Sequence, residues 1–266
     1  MKQTVNSKKI LSKKEPEKRL LLRFKENAGR SSSGRISVRH HGAGVKKLYR
    51  IVDFGQEKMG ISACVSAIEY DPNRSAFLML LEYADGDKRY QLAPHGIKIG
   101  DSIICNEQAD AKIGNRMRLE NIPSGSQIYN IELIPNTGGK IVRSAGTSAL
   151  VIAKEGKYCN LAMPSKEIRK IFFKCFASIG QISRPEKRFE KLTTAGSRRR
   201  MGWRPSNRGK SMNPKDHPHG GGEGKTPIGL RYPKTPWGKP ARGVHTRRRK
   251  STQKYIIKRR PANNKK

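Results

Sequence analysis

Acidic side chains are scarce in this sequence: 21 aspartates and glutamates stand against 57 lysines and arginines in 266 residues, a formal net charge of +36. A fold carrying that imbalance repels itself, so the counter-charge must come from a partner, and a polyphosphate is the chemistry that fits. Cysteine is also sparse. Cys64, Cys105, Cys159 and Cys175 are widely separated and form no C-x-x-C pair, which excludes the closely spaced ligand pairs of a zinc ribbon. Cys105 and Cys159 lie in apolar runs, so they read as reduced core thiols in a cytosol-like compartment. Long hydrophobic runs are missing too. The longest, Ala76–Leu81, is far too short to span a bilayer. Met1–Lys18 is Lys-rich but has no apolar stretch of the kind a secretory signal needs. It also carries Glu15 and Glu17 and little arginine, which counts against a mitochondrial presequence. Neither an amphipathic helix nor a lipidation motif offers a membrane surface as the outlet for the charge. No internal repeat suggests a solenoid.

What charge there is lies unevenly. Residues 1–35 hold 11 basic and 3 acidic side chains, 36–114 hold 10 of each, 115–184 hold 11 and 4, and 185–266 hold 25 and 4. The chain therefore divides into a basic N-terminal arm (1–35), a neutral folded domain (36–114), a mildly basic folded domain (115–184) and a very basic C-terminal tail (185–266). The two ends have too little apolar surface to offset chain entropy and are expected to order only against a partner.

The middle of the chain reads as short strands. Ile61–Tyr70, Ser75–Tyr83, Arg89–Ala93 and Asp101–Asn106 are apolar or β-branched, with turn residues at Asp71-Pro-Asn-Arg74 and Asp85-Gly-Asp-Lys88 between them. Gln127–Ile134, Thr147–Ala153, Lys157–Met163 and Ile168–Phe173 form a second set. Cys159, Leu161 and Met163 alternate with Tyr158, Asn160 and Ala162, the period of a half-buried strand. Two small barrels joined near Ala111–Ile122 are the expected architecture, a mainly β fold. Ile168, Ile171, Phe172 and Cys175 also fall at helical spacing, which leaves a helix over Lys166–Ser178 as the secondary reading.

Three basic motifs point to nucleic acid. The first runs from Arg35 to Arg50, with Arg30 just before it. Arg30, Arg35, Arg39, Lys46, Lys47 and Arg50 can neutralise phosphates, and Gly42 and Gly44 permit close backbone approach. Neighbouring His40 and His41 would point to opposite faces of a strand and so could not share a metal ion; His40 is read as solvated or RNA-facing. Arg74 closes the Asp71–Arg74 turn. The second motif places Arg143 and Ser144 in a small-residue loop before Gly146, which suits either an RNA groove or an ordinary solvated loop. The third is the Gly-rich, Pro-broken run from Gly196 to Thr226. Its candidate RNA contacts are Arg198, Arg199, Arg200, Trp203, Arg204, Arg208, Met212, Asn213, His217, His219, Gly220, Gly221 and Gly222. Further on stand Trp237, Arg242, Arg247, Arg248 and Arg249. Proline here excludes a long helix. Trp203 and Trp237 offer flat faces for base or sugar packing, or anchor the tail to the protein body.

The same run invites enzymatic readings that fail on spacing. Gly224-Lys-Thr226 resembles the end of a phosphate-binding loop, yet the first required glycine falls on His219 and no strand precedes it. His217-Pro-His219 has no nearby cysteine or further histidine to complete a metal site. Asp216 beside His217 could orient a base, but no nucleophile or oxyanion site is assignable. Neither catalytic residue, metal nor cofactor is expected. A free single-strand RNA chaperone using the barrels is the other non-enzymatic candidate.

The segment Ser211-Met-Asn-Pro-Lys-Asp-His-Pro-His-Gly-Gly-Gly-Glu-Gly224 resembles the signature of the large ribosomal subunit protein two family. Gly34-Arg-Ile-Ser-Val-Arg-His40, Tyr49-Arg-Ile-Val-Asp-Phe54, Glu69-Tyr-Asp-Pro-Asn-Arg-Ser75, Asn121-Ile-Pro-Ser-Gly-Ser126, Arg143-Ser-Ala-Gly-Thr147 and Thr235-Pro-Trp-Gly-Lys239 are similar to it in the same order. The resemblance extends over roughly residues 24–260 and is of bacterial or organellar type. It implies an oligonucleotide-binding (OB) barrel, then an SH3-like barrel, then a tail embedded in ribosomal RNA. It also implies a place near the peptidyl transferase region, with roles in assembly, tRNA positioning and contact with neighbouring proteins and the small subunit. The expected setting is a cytoplasmic ribosome, with a mitochondrial or plastid ribosome as the alternative. Peptide-bond chemistry would belong to the RNA. Met1–Leu22 departs from the family pattern, and Lys215 stands where bacterial members commonly carry valine.

Overall fold

The structure is a computed structural model, and it describes residues 10–224, 227–244, 247 and 249–261. Among these residues, thirteen strands run in chain order: β1 (Leu21–Arg23), β2 (Leu48–Arg50), β3 (Ser62–Tyr70), β4 (Phe77–Tyr83), β5 (Lys88–Leu92), β6 (Ser102–Ile104), β7 (Arg116–Arg118), β8 (Gln127–Tyr129), β9 (Ala149–Glu155), β10 (Tyr158–Ala162), β11 (Ile168–Phe172), β12 (Phe176–Ile179) and β13 (Ile256–Lys258). Among the described residues there is one α-helix, α1, which spans Ala195–Arg200. The protein is mainly β, as its turn chemistry and alternation predict.

By compactness the chain forms two units. One comprises Met1–Lys25, Lys47–Lys191 and Ser251–Lys266; the other comprises Glu26–Lys46 and Leu192–Lys250. The first unit holds both β modules. Its N-terminal module is a four-stranded antiparallel sheet in the order β5-β4-β3-β6. The strand after the meander therefore pairs back onto the first, as in the open Greek-key barrel of an OB fold. Val52 makes a parallel bridge to Tyr90 and adds a fifth segment beside β5. A bulge between Val65 and Ala67 bends β3, which is how one strand can serve both sides of a small barrel. Val65, Met79, Leu81 and Ile103 fill the interior.

The C-terminal module is the SH3-like barrel, a seven-stranded sheet in the order β13-β11-β10-β9-β8-β12-β7. Met117, Leu119, Ile128, Val151, Leu161, Ile171 and Ala177 form its core. A third apolar cluster, with Leu78, Leu80, Tyr90, Tyr129 and Ile182, packs the two modules against each other. Into this interior the sequence also places a charge. Arg116 is fully buried and donates to Glu132 Oε1 at 2.9 Å and to the Asn130 carbonyl at 2.7 Å. Glu132 Oε2 in turn accepts the backbone N–H groups of Phe176 and Asn136.

Where the structure meets or departs from the sequence expectations, the causes are physical. The strand expected over Ile168–Phe173 is present as β11, and the secondary helical reading of Lys166–Ser178 falls, because Ile171 is opposite Cys159 across β10–β11 while β12 pairs with β7 and β8. The ends are not bare. Leu21–Arg23 pairs with Leu48–Arg50, and Ile256–Lys258 pairs with β11; an open sheet edge supplies backbone partners that the arm and tail cannot supply for themselves. Cys105 and Cys159 are buried and free, as their apolar runs predict; Cys175 is buried with them, Cys64 is exposed, and both are free as well. Burial pushes the Cys105 thiol up to about 11 and that of Cys175 to about 12, so both stay protonated and behave as small apolar side chains.

Candidate nucleic-acid interface

In the first unit, distant parts of the sequence gather cations around aromatic rings. The Asp71 turn begins the arrangement. Its carboxylate accepts the Asn73 N–H at 2.8 Å and the Arg74 Nε at 2.6 Å, so the turn chemistry that reverses the chain also fixes the arginine. The Arg74 guanidinium lies 5.5 Å from the centres of both Tyr49 and Phe54. Arg143 lies 4.3 Å from Phe54 on the small-residue loop, with its guanidinium also donating to the Gly139 carbonyl. Phe24 continues the row against Tyr49 at 4.8 Å and is largely exposed. Arg74 and Arg143 were legible as cations; the Tyr49 of the first motif and the Phe54 that ends the Tyr49–Phe54 segment were visible in the sequence but not assigned a contact, and Phe24 was not singled out. Arg50 departs from expectation. It lies half-buried between Glu69 and Asp71, at 3.8 and 3.9 Å, where its charge serves the fold first. Ser144 lies exposed in its loop, and its carbonyl accepts from Thr147. Lys47 sits half-buried at the entry to β2.

In the second unit the first and third motifs meet. The backbone N–H of Gly42 donates to Gly202, that of Val45 to Arg200, and that of Arg204 to His40, all within 3.0 Å. A Cβ on Gly44 would come within 2.6 Å of the Arg200 carbonyl, and one on Gly202 within 2.9 Å of the Gly42 carbonyl. These glycines are therefore required by the protein's own backbone crossing. His40 is left-handed, with φ of 64°, and does not lie in a strand. Its Nδ1 is 3.3 Å from the Pro205 carbonyl, while the His41 ring packs on Trp203 at 4.8 Å. Trp203 thus has one side held by the protein and remains 45% exposed, and Trp237, 75% exposed, has the Arg39 guanidinium 5.4 Å from its ring centre. Among the described residues no His, Cys, Asp and Glu cluster could hold a metal ion.

Around this ladder the other predicted cations point outward. Thr194 caps α1 through the Ser197 N–H, and Arg198, Arg199 and Arg200 occupy its last turn, where cations oppose the helix dipole. They and Arg30, Arg35, Arg39, Lys46, Arg204, Arg208, Arg242, Arg247 and Arg249 are exposed. Arg30 also donates to the Gly34 carbonyl and braces its turn. Arg248, Lys225 and Thr226 lie outside the described residues.

The Asn213–Gly224 loop is built on itself. The Asn213 carbonyl accepts from Asp216 and His217, the Met212 carbonyl from Gly221, and the His217 carbonyl from Gly220. His217 is buried at 7% exposure, and its ring centre is 4.7 Å from that of His219. Its Nδ1 accepts the His219 N–H at 3.0 Å, and His219 Nε2 accepts the Lys234 N–H at 2.8 Å. A lone pair on each accepting nitrogen fixes both tautomers. The Lys234 contact ties in the hairpin at Lys234–Pro240, which carries Trp237 beside its turn. A Cβ on Gly209 would strike the His217 ring at 2.4 Å, one on Gly220 the Asn213 carbonyl at 2.3 Å, and one on Gly221 the Pro214 ring at 2.9 Å. Gly221 and Gly222 also have φ of 90° and 79°. The glycines that suggested close RNA approach are thus first needed for internal packing.

Two family models match the sequence. Residues 17–105 are similar to the RNA-binding N-terminal domain of ribosomal proteins L2, and residues 112–238 to the C-terminal domain of the same proteins. The matches follow one another in that order, and the second takes in both the Arg198–Arg200 helix and the histidine–glycine loop.

Proposed function

Given that the chain belongs to the ribosomal protein L2 family, and is thereby a structural, RNA-binding protein of the large ribosomal subunit, we propose that its second unit presents a preformed loop to ribosomal RNA near the peptidyl transferase region. The observation that carries this reading is the self-built Asn213–Gly224 loop beside an array of exposed, outward-pointing arginines. Arginine neutralises phosphate and fixes register, and the loop enters with its hydrogen bonds already made, so little entropy is lost on docking.

The four-part division by charge then has a functional meaning. The arm (1–35) and tail (185–266) contact RNA, the OB domain (36–114) contributes Arg74, and the SH3-like domain (115–184) contributes Arg143 and Ser144. Arg30, Arg35, Arg39, His40, Lys46, Lys47, Trp203, Trp237 and the tail arginines are the further RNA contacts. From this position the protein supports subunit assembly and association and the placement of tRNA, beside neighbouring proteins and the small subunit. The setting is a cytoplasmic ribosome, with an organellar one as the alternative. The chain performs no catalysis itself. Both imidazoles already accept backbone N–H groups, which leaves neither poised as a free base on the accepting nitrogen.

Sedimentation tests the reading: the protein should travel with the large subunit at moderate salt. On isolated large-subunit rRNA, a chain ending at Arg184 should show a much shallower slope of log K against log salt. An unchanged slope would remove the tail from the interface, and measurable ATP turnover above blank would replace the structural role with an enzymatic one.

A further inference from the structure

The edge of the SH3-like sheet carries cations and rings that the contacts above leave unused. Across β10 and β11, Cys159 is opposite Ile171 on the core side. The alternate pairs Tyr158–Phe172 and Asn160–Lys170 therefore share the other face, on which Asn160 is buried, Phe172 is half-buried against the barrel core, and Tyr158 and Lys170 are half-buried. Tyr158 and Phe172 meet edge-on at 6.0 Å, and Lys170 Nζ lies 5.5 Å from the Tyr158 ring. β13 then extends this face. Its Lys258 is opposite Ile168, two residues from Lys170 along β11; the register shift beside this pair puts the extra residue, Ile257, on β13, so alternation along β11 still sets Lys170 and the Ile168–Lys258 pair on the face of the rings. Arg259 and Arg260 follow, exposed. Among the described residues, no carboxylate is ion-paired with Lys170 or Lys258, whereas Lys58, Arg50, Arg74 and Arg89 of the OB module all have acidic partners. Glu155, opposite Tyr158, and Glu167 are the acids nearest in the pairing.

We propose that this β10–β11–β13 face is a second RNA-contact surface, at which Lys170 and Lys258 take successive phosphates and the Tyr158–Phe172 pair takes an unpaired base. The inference rests on the ribosomal reading. Cations interleaved with aromatic rings on a sheet are the chemistry of single-stranded RNA recognition. Backbone pairing holds the two lysines at a fixed spacing, so the tail completes this surface by returning to the sheet, and neither strand has it alone.

The test uses the full chain carrying Lys170→Gln and Lys258→Gln together, titrated with large-subunit rRNA at a series of salt concentrations. Two lost phosphate contacts should lower the slope of log K against log salt by roughly 1.4–1.8, with an unchanged melting temperature. A photo-crosslinking phenylalanine at position 158, in assembled large subunits, should give an adduct with RNA. An unchanged slope beside a normal wild-type slope would overturn this surface alone. An adduct to protein would reassign it to an acidic neighbour. A wild-type chain with no affinity for large-subunit rRNA would overturn the surface and the ribosomal reading together.

Discussion

Tyr90 donates its phenolic hydrogen to Glu69 Oε2 at 2.8 Å inside the OB module, while the same hydroxyl accepts the Glu17 N–H at 2.9 Å. One buried tyrosine thus joins the arm to the barrel and partners a carboxylate that sits out of water. Burial raises the Glu69 pKa above its ordinary 4.5, and the Tyr90 hydrogen bond and Arg50 only partly oppose it. A carboxylate whose folded pKa is raised penalises the fold where it is ionised. The penalty is absent below the unfolded value, grows as pH rises through the window between the two values, and is complete above the folded one. Glu69→Gln keeps an acceptor for Tyr90 and removes the charge. Urea unfolding should therefore show the variant gaining on wild type between pH 4 and pH 7, and a gain that shrinks as pH rises would refute the assignment.

The Arg116–Glu132 pair should behave differently. Both side chains are essentially excluded from solvent, and Glu132 also satisfies two backbone N–H groups. Glu132→Ala strands a buried guanidinium and should cost about 3–5 kcal/mol. Joint replacement by Arg116→Met and Glu132→Leu should recover a large part of that loss, because well-packed apolar groups escape the desolvation penalty. The two backbone donors left unpaired keep the recovery incomplete. Chemical denaturation of the single and double variants gives the comparison, and equal loss in both would place the stabilisation in the hydrogen bonds alone.

Glycine substitutions separate the glycines that pack from those that do not. Gly209 and Gly220 face a ring and a carbonyl closer than any Cβ tolerates, whereas Gly196 in α1 has open space and an ordinary backbone. Gly196→Ala should stabilise α1 by about 0.5–1 kcal/mol. Gly209→Ala and Gly220→Ala should open the loop and lower incorporation into large subunits. Amide exchange at Gly220 and Gly221 reads the loop directly, and unchanged protection in Gly220→Ala would show that the loop relaxes around the methyl group.

How much of this was legible before the structure depended on which force made each element. β3, β4, β9 and β10 follow from alternation and turn residues, and their limits fall close to the expected ones. β7 escaped notice because its central inward position is framed by Arg116, and a buried arginine looks polar in a pattern. β1 and β13 have no pattern of their own; they exist because an edge strand offers them partners. At the interface, the cations were visible one by one, since charge is a property of a residue. Tyr49, Phe54 and Phe24 were not assigned contacts, because what marks them is the arrival of Arg74 and Arg143 from far along the chain. Nothing in the Ser211–Gly224 spacing says that His217 is buried, since its burial comes from Gly209 and the loop's closure on Met212.

The histidine loop supports a final prediction, in which the position of the acceptor atom decides the outcome. His217 accepts through Nδ1 and His219 through Nε2. An asparagine oxygen reaches about as far as Nδ1, and a glutamine oxygen about as far as Nε2. His217→Asn and His219→Gln therefore keep the acceptors, whereas His217→Gln and His219→Asn misplace them. If the loop acts by shape, the first two variants should assemble and support peptidyl transfer within a few-fold of wild type, with the His219 and Lys234 amides still protected from exchange. The second two should lose that protection and fall in particle yield. Single-turnover peptide release, normalised to incorporated protein, separates yield from chemistry. A loss of about a hundredfold or more in fully assembled His219→Gln particles is the size of effect that general acid–base catalysis supplies, and it would assign the imidazole a chemical step in place of a structural one. The built geometry argues for the smaller effect, because the nitrogen a base would use already holds the Lys234 N–H.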